Sequence, residues 1–190
     1  MTDAKTDTRT RILDVAQDLI QRRGLNAMSF QDLSDAVGIR KPSVHHHFAS
    51  KAEMVHALLE RYQSEFQEVV DRILSSKVSG RTKLKRYCGL FVQTLEEGKN
   101  DKSCLCGMLA AELYSLEKQE VAVVRGFLRS NIDALQTIFK EGAEDGSLLP
   151  GGSPDVVLAT LEGGLLTARC DGGPKKLSNI VGQLVKMLST

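Results

Sequence analysis

The sequence predicts an all-α fold of about nine helices. Apolar residues recur at intervals of three and four along the chain, which is the spacing of one face of an α-helix. Runs of alternating β-branched residues, which would indicate strands, do not occur in the sequence. The sequence also contains no internal repeat and no low-complexity segment, so we expect neither a repeat array nor a structureless tail.

The first two helices have local start and stop signals. The first helix covers about residues 7–23 and ends before Gly24, which is a common residue at a helix C-terminus. The second helix covers about residues 30–37 and begins after Ser29, a favourable N-cap residue. Asp32 stands at the third helical position, where an acidic side chain completes a variant of the capping box.

A turn that contains glycine separates the second helix from a short third helix. Gly38 ends the second helix, because glycine adopts the left-handed conformation at little cost. The third helix covers about residues 41–47 and has Pro42 in its first turn, where proline is tolerated. Ser50 and Glu53 then form a capping box, which predicts the start of a fourth helix.

Longer helices follow in the rest of the chain. The helix predicted at residues 104–116 is apolar on most sides and is expected to be buried. The six helices after the third are predicted at about residues 51–75, 81–97, 104–116, 118–145, 154–170 and 174–188.

Composition and charge restrict the classes of function. A length of 190 residues suits one large domain or two small ones, and 42% hydrophobic residues are sufficient for a core. The net charge is only +1, so any affinity for nucleic acid must come from a local surface. No apolar stretch approaches the roughly 18–20 residues that span a membrane, and the polar N-terminus does not resemble a signal peptide. We expect a cytoplasmic protein that does not interact with membranes.

The cysteines and histidines do not form a metal site in the sequence. No pair of cysteines has CxxC spacing, and every histidine precedes residue 57. Consecutive residues on a helix point about 100° apart, so the triplet at residues 45–47 cannot bind one ion together. A cytosolic chain also keeps its thiols reduced. We therefore expect no metal, no cofactor and no disulfide among Cys88, Cys104, Cys106 and Cys170.

The second and third helices, with the glycine turn between them, match the helix–turn–helix pattern. The second helix of this motif lies in the DNA major groove, which is about 12 Å wide. It needs polar side chains on its outer face and apolar side chains on its inner face. The outer face is predicted to carry Arg40, Lys41, Ser43, His45 and His46. The inner face is predicted to carry Ile39, Val44 and Phe48.

Residues 9–58 resemble the N-terminal domain of TetR-family regulators. The resemblance is carried by residues 12–16, 24–25, 29–33, 36–48 and 50–54, which keep the glycine turn, the third helix and the capping box in register. His45 departs from the family pattern, because the family usually has a tyrosine there that contacts the DNA backbone. The resemblance implies a DNA-binding domain at residues 1–52 and a helical domain for ligand binding and dimerisation at residues 53–190.

The family pattern implies which residues contact double-stranded operator DNA. The start of the second helix and the third helix are expected to contact bases or phosphates. Lys51 is expected to meet a phosphate at the N-terminus of the fourth helix. The predicted DNA-binding residues are Ser29, Gln31, Arg40, Lys41, Pro42, Ser43, His45, His46, His47 and Lys51.

The last two helices each carry an apolar stripe that predicts a homodimer. Two antiparallel amphipathic helices can pack against their copies as a four-helix bundle. A helix–turn–helix dimer also reads half-sites about 34–36 Å apart. The alternative is that both stripes face the protein's own core. The predicted dimer contacts are Leu158, Leu161, Leu165, Ile180, Val181, Leu184 and Leu188.

A small-molecule effector is expected in the C-terminal part. Candidate residues there combine apolar surface with a few polar groups, as ligand sites do, although each could instead be ordinary core. The predicted effector-binding residues are Tyr87, Phe91, Cys104, Met108, Glu112, Phe127, Asn131, Leu165 and Arg169. Cys104 begins a Cys-Leu-x-Gly stretch similar to that of a TetR subgroup, in which some relatives sense oxidants or electrophiles with a cysteine.

These patterns predict a repressor that binds a palindromic operator as a dimer and is released by an effector. An enzyme is the rival class, but the sequence has no P-loop, GxSxG, HExxH or dinucleotide-binding motif. A regulator that responds to oxidation of Cys104 is the alternative within the same class, because a thiol at a helix N-terminus can be reactive. Buried cysteines are more commonly inert.

Overall fold

The computed structural model describes residues 2–190, with side chains described from Asp7 onward. Over residues 2–190 the chain forms nine α-helices, one short 3₁₀ turn at Leu113–Ser115 and no β-strand, which confirms the predicted all-α fold. The helices are α1 (Thr2–Arg23), α2 (Phe30–Val37), α3 (Lys41–His47), α4 (Lys51–Leu74), α5 (Gly80–Glu97), α6 (Leu105–Ala111), α7 (Lys118–Glu144), α8 (Pro154–Cys170) and α9 (Gly173–Leu188). Within the described range, no helix is both long and apolar enough to cross a lipid bilayer.

The predicted helix at residues 104–116 is interrupted in the structure. Helix α6 ends at Ala111, and Glu112 leaves the helical conformation with φ −109° and ψ 33° before the 3₁₀ turn begins. The prediction of one continuous helix was therefore wrong at this point. The interruption places Glu112 in contact with a turn near the start of the chain, which the next section describes.

The chain divides into two compact units that do not follow a single cut in the sequence. The first unit contains residues up to Gln63 together with Leu105–Arg125, and the second contains Ser64–Cys104 and Gly126–Thr190. The predicted boundary between residues 52 and 53 lies inside helix α4 and inside the first unit. That boundary stays a prediction about the division of function.

The core of the first unit forms where α1, α2, α3 and the start of α4 meet. Residues four apart on α1 bury one face of that helix, while α3 contributes the fully buried Val44. Gly24 follows α1 with φ +86°, a conformation that favours glycine. The side chains with no exposed surface in this core are Ile12, Ala16, Ile20, Leu33, Val44, Phe48, Met54, Leu58 and Leu59.

The core of the second unit forms mainly between α5, α8 and α9. Helix α9 packs against both α5 and α8. Gly164 allows the close approach of α8 and α9, because a Cβ at this position would lie 3.1 Å from Cδ1 of Leu177. The core side chains of these three helices with no exposed surface are Leu84, Tyr87, Cys88, Leu95, Leu161, Leu165, Ala168 and Leu177.

Candidate DNA-binding interface

Helix α2 is fixed at both ends by its own residues. The Ser29 hydroxyl accepts a hydrogen bond from the Asp32 N–H at 3.2 Å, and the Asp32 carboxylate accepts one from the Ser29 N–H at 2.7 Å. The hydrogen bonds from the Ser29 side chain and backbone, with Arg23 at 3.0 Å, lower the pKa of Asp32 to about 2. Gly38 ends the helix with φ 76°, and its N–H donates to the Ser34 carbonyl. The predicted capping box and glycine stop are therefore confirmed.

Helix α3 separates a buried face from an exposed face, as predicted. Val44 and the following Phe48 have no exposed surface, and they anchor the helix to the first unit. His47, the last residue of α3, and Ile39, which lies before its start, are half-buried. The exposed residues in and beside the helix are Arg40, Lys41, Pro42, Ser43, His45 and His46. A short helix with this division of surfaces can enter a groove without losing its own packing.

An aromatic contact and two arginines hold this motif together. The ring of His45 packs edge-on against Phe30 of α2, with 4.9 Å between centroids. The guanidinium of Arg9 lies 4.8 Å from the centroid of the Phe48 ring. Arg11 donates a hydrogen bond to the Val37 carbonyl at 2.8 Å, where α2 ends. The orientation of α3 is therefore set by contacts with both α1 and α2.

The other predicted DNA contacts already have partners inside the motif. The Ser29 hydroxyl serves the cap of α2, and Gln31 Nε2 donates to Asp35 Oδ1 at 2.8 Å. Lys51 Nζ donates to the carbonyls of Leu25 and Met28 at 2.6 Å each. One ammonium N–H of Lys51 is left for the predicted phosphate, and that contact stays a prediction.

The turn between α1 and α2 is held by two oppositely charged side chains. Glu112 accepts hydrogen bonds from the N–H groups of Leu25 at 2.5 Å and Asn26 at 3.2 Å, while Lys51 binds carbonyls of the same turn. Burial lowers the pKa of Lys51, and the nearby Glu112 and Asp32 partly oppose that shift. Sequence reasoning assigned Glu112 to an effector pocket, but its position on this turn argues against that role.

Most of the predicted effector-binding residues are buried in the second unit. The Tyr87 hydroxyl donates to Asn131 Oδ1, and Asn131 Nδ2 donates to the Phe127 carbonyl at 2.8 Å. Phe91 lies 6.1 Å from Tyr87 between ring centroids. Buried with them are Cys104 and Leu165, while Arg169 is half-buried. Met108, like Glu112, belongs to the first unit, and its place in the effector site stays a prediction.

Glu162 is a half-buried acid, with its carboxylate oxygen Oε1 enclosed, that sequence reasoning did not assign to this site. Burial raises its pKa, and a hydrogen bond from Cys104 partly opposes that shift. Burial also raises the pKa of Tyr87, with further contributions from Cys88, Cys104 and Glu162. In the sequence, the indication of this acid is a single glutamate that follows Leu161 on an otherwise apolar helix. The second unit therefore has a polar centre inside an apolar core.

The stripes predicted to form a dimer are covered within one chain. Leu161 and Leu165 have no exposed surface, and Leu158, Val181 and Leu184 are also buried. Only Ile180 and Leu188 are half-buried. These five residues are buried within their own chain, where α5, α8 and α9 pack against one another, and their role as dimer contacts stays a prediction. The large apolar side chains that remain exposed on α8 and α9 are Val156, Leu166 and Met187.

Comparisons with known proteins identify the family. The sequence profile described as "Bacterial regulatory proteins, tetR family" matches residues 12–58, which include α2 and α3. The HTH-type transcriptional repressor KstR2 of Rhodococcus jostii (strain RHA1) is 36% identical over 154 residues, which are 77% of this chain and 70% of that protein. The chain belongs to the TetR family. It is therefore a DNA-binding transcriptional regulator, as the helix–turn–helix predicted.

Solved structures of other TetR-family proteins share the whole fold. A TetR-family transcriptional regulator from Agrobacterium tumefaciens is similar with a TM-score of 0.91 and 28% identity, covering 98% of this chain and 100% of that one. The reduced form of E. coli NemR is similar with a TM-score of 0.81 and 25% identity, covering 97% of each chain. The TetR-family likeness thus extends beyond residues 12–58 to both compact units.

Proposed function

We propose that this TetR-family regulator is a repressor that binds a palindromic operator as a homodimer and dissociates when a small molecule binds its second unit. Helix α3 enters the major groove in this proposal. Residues 1–52 supply the DNA contacts, and residues 53–190 supply the effector site and the dimer contact. The observation that carries the proposal is the exposed polar face of α3 opposite the buried Val44 and Phe48.

The exposed side chains of α3 suit both bases and phosphates. Lys41 can donate to a phosphate or to guanine, Ser43 can donate or accept, and His46 can donate to a base edge. All three are exposed. Because the net charge of the chain is only +1, affinity must come from these local contacts and from two copies acting together.

The homodimer is supported by the apolar side chains left exposed on α8 and α9. Val156 is 59% exposed, Leu166 47% and Met187 73%. The buried centre of a protein interface is more apolar than the remaining surface. We therefore move the proposed dimer contact from the buried stripe to this exposed set, with Ile180 and Leu188 at its edge.

The effector site is proposed at the polar centre around Tyr87 and Asn131. A ligand could exchange hydrogen bonds with this pair and with Glu162 while it contacts Phe91 and Phe127. Sites with a few polar groups in an apolar lining are typical of small-molecule pockets. Binding there would favour a conformation in which two α3 helices no longer match successive major grooves.

Oxidation of Cys104 is the weaker alternative trigger. Cys104 is only 5% exposed as a residue, and its thiol donates to the carboxylate of Glu162, so an oxidant has little access to it. Cys104→Ser distinguishes the two triggers. An unchanged response to electrophiles in this variant excludes the thiol, and loss of that response alone would favour it over a reversible ligand.

The test is binding of the purified protein to labelled DNA from the region upstream of its own gene, measured by fluorescence anisotropy. His46→Ala and Lys41→Ala should weaken binding by about tenfold or more, because each loses contacts worth roughly 1–3 kcal/mol. Lys41→Ala should also reduce the slope of log affinity against log salt by about one if it binds a phosphate. Lys175→Ala, an exposed lysine of α9, is the matched control. Equal affinity in all four proteins would overturn the proposal.

A further inference from the structure

A groove lies between α5 and α9 in the second unit. Its volume is about 730 Å³, which falls within the range of small-molecule sites, roughly 300–1,000 Å³. Val92, Val181 and Val185 line it with apolar surface, and the two valines of α9 are buried. Tyr87 and Asn131 are not among its lining residues, so the groove is separate from the effector site proposed above.

The two helices that form the groove run antiparallel. A Cβ on Gly173, at the start of α9, would lie 3.3 Å from Cγ of Asn100, which follows α5. At the other end, the Arg81 N–H donates to the Ser147 hydroxyl at 3.0 Å, and Ser189 forms a β-bridge with the residue after Ser147. The beginning of α5 and the end of α9 therefore lie at the same end of the groove.

That end of the groove is positively charged. Arg81 and Lys85 stand one turn apart on α5, and Lys186 is in the last turn of α9. All three are exposed, and in the part of the chain that the structure describes none of them pairs with a carboxylate. Like charges four residues apart on a helix repel each other. The acid of the lining, Glu96, lies about 16 Å beyond Lys85 along α5, at roughly 1.5 Å per residue.

Two glycines leave space in the middle of the groove. Gly89 on α5 and Gly182 on α9 both line it, and a Cβ on either would meet no atom within 4 Å. Neither has a positive φ, so neither the backbone conformation nor close packing requires glycine there. Glycine inside a helix is less stable than alanine. The space beside these two residues is available to a ligand.

We propose that the groove binds a single-chain anionic amphiphile, with its carboxylate at Arg81, Lys85 and Lys186 and its alkyl chain over Val181 and Val185. Arginine and lysine side chains donate charge-assisted hydrogen bonds to a carboxylate. The carboxylate also reduces the repulsion among the three cations. The alkyl chain displaces water from the valines, which is favourable for apolar surface. A cationic amphiphile does not fit, because its head would meet three like charges.

The groove and the proposed dimer contact use different sides of α9. Ser178, Gly182 and Lys186 follow one another at intervals of four residues and share one stripe of the helix. At about 100° per residue, Ile180 and Met187 lie on the roughly opposite side. Occupation of the groove is therefore compatible with the dimer, and the inference goes beyond the proposed function without depending on it.

The test is calorimetric titration of the full chain with sodium decanoate, without DNA, against sodium acetate at equal ionic strength. Decanoate should bind saturably at one site per chain, and acetate, which lacks the chain, should not. Gly182→Leu fills the open space and should weaken decanoate binding at least about tenfold.

A pair of double variants tests the charged end. Lys85→Gln with Lys186→Gln removes two cations of the groove and should weaken decanoate binding at least about fivefold. Lys140→Gln with Lys175→Gln removes the same charge from exposed lysines outside the lining, and this matched control should bind as the wild type does.

Four results would overturn the proposal. They are no saturable binding of decanoate to the wild type, equal binding to Gly182→Leu, equal binding to the two double variants, and a lower mass of Gly182→Leu in sedimentation equilibrium. The last result would make the groove a contact between copies of the chain. Gly89→Leu fills the same groove from α5 and should also weaken binding. Thermal unfolding shows whether each variant folds. Because the titration contains no DNA, failure of operator binding leaves its result intact.

Discussion

Lys51 and Glu112 bind the two backbone polar groups of a single residue, Leu25. Lys51 Nζ donates to the Leu25 carbonyl at 2.6 Å, and Glu112 Oε2 accepts from the Leu25 N–H at 2.5 Å. Leu25 is itself buried. The turn between α1 and α2 is thus fixed through its backbone by one residue that opens α4 and one that follows α6.

Glu112→Ala should loosen this turn. Hydrogen bonds to a charged group contribute about 1.5–3 kcal/mol, and the partial exposure of Glu112 reduces the expected loss of unfolding free energy to about 1–2 kcal/mol. Urea unfolding measures this change. Glu144→Ala, on the exposed end of α7, is the control. A Glu112→Ala protein as stable as this control would show that the turn holds without the carboxylate.

Asp32→Asn should change the acid stability of the protein. The folded-state pKa of Asp32 is about 2, below its ordinary value of 3.8. Its contribution to stability is therefore present above about pH 4 and is lost as the pH falls toward 2. Unfolding midpoints in urea should consequently decline less between pH 5 and pH 3 in Asp32→Asn than in the wild type. Asp133→Asn, an exposed residue of α7, should decline as the wild type does. Parallel declines in all three proteins would contradict the role given to Asp32.

Tyr87→Phe should destabilise the second unit and weaken effector binding. Removing the hydroxyl leaves Asn131 Oδ1 buried without its donor, at a cost of about 1–3 kcal/mol. Thermal unfolding measures the loss. Tyr114→Phe removes the same atom from a fully exposed tyrosine and should leave the midpoint unchanged. Equal midpoints in the two variants would mean that the Tyr87 hydroxyl does not support the core.

Leu166→Glu should convert the proposed homodimer to monomers. A charge at the centre of an apolar contact is strongly unfavourable, while at an exposed position it leaves the monomer fold intact. Sedimentation equilibrium measures the mass. Leu149→Glu, at a similarly exposed leucine in the loop before α8, should remain dimeric. A dimeric Leu166→Glu protein would move the interface away from this face of α8.

Local signals predicted α2 and α3 well. Ser29, Gly38 and Pro42 act within a few residues of themselves, so the bounds of both helices agree with the sequence-based prediction. The interruption after Ala111 was not predicted, because Glu112 bonds there to Leu25, which lies 87 positions away in the sequence. No periodicity in the sequence carries that information.

The helical periodicity of a sequence identifies an apolar face, but it does not show which element packs against that face. The stripe containing Leu161 and Leu165 was predicted correctly as apolar, but it packs against its own chain. Buried acids are hidden for a similar reason. The sequence around Glu120 and Glu162 does not indicate burial, and only the folded chain shows that Glu120 is 1% exposed and that Oε1 of Glu162 is enclosed.

The contact between Gly24 and Glu112 couples two distant positions of the sequence. A Cβ on residue 24 would lie 2.6 Å from Glu112 Oε1, in addition to the strain of a positive φ. A larger residue at position 24 therefore becomes less unfavourable once position 112 carries a short side chain. The two positions should accept substitutions together rather than separately, so sequences that lose the glycine should tend to lose the glutamate as well.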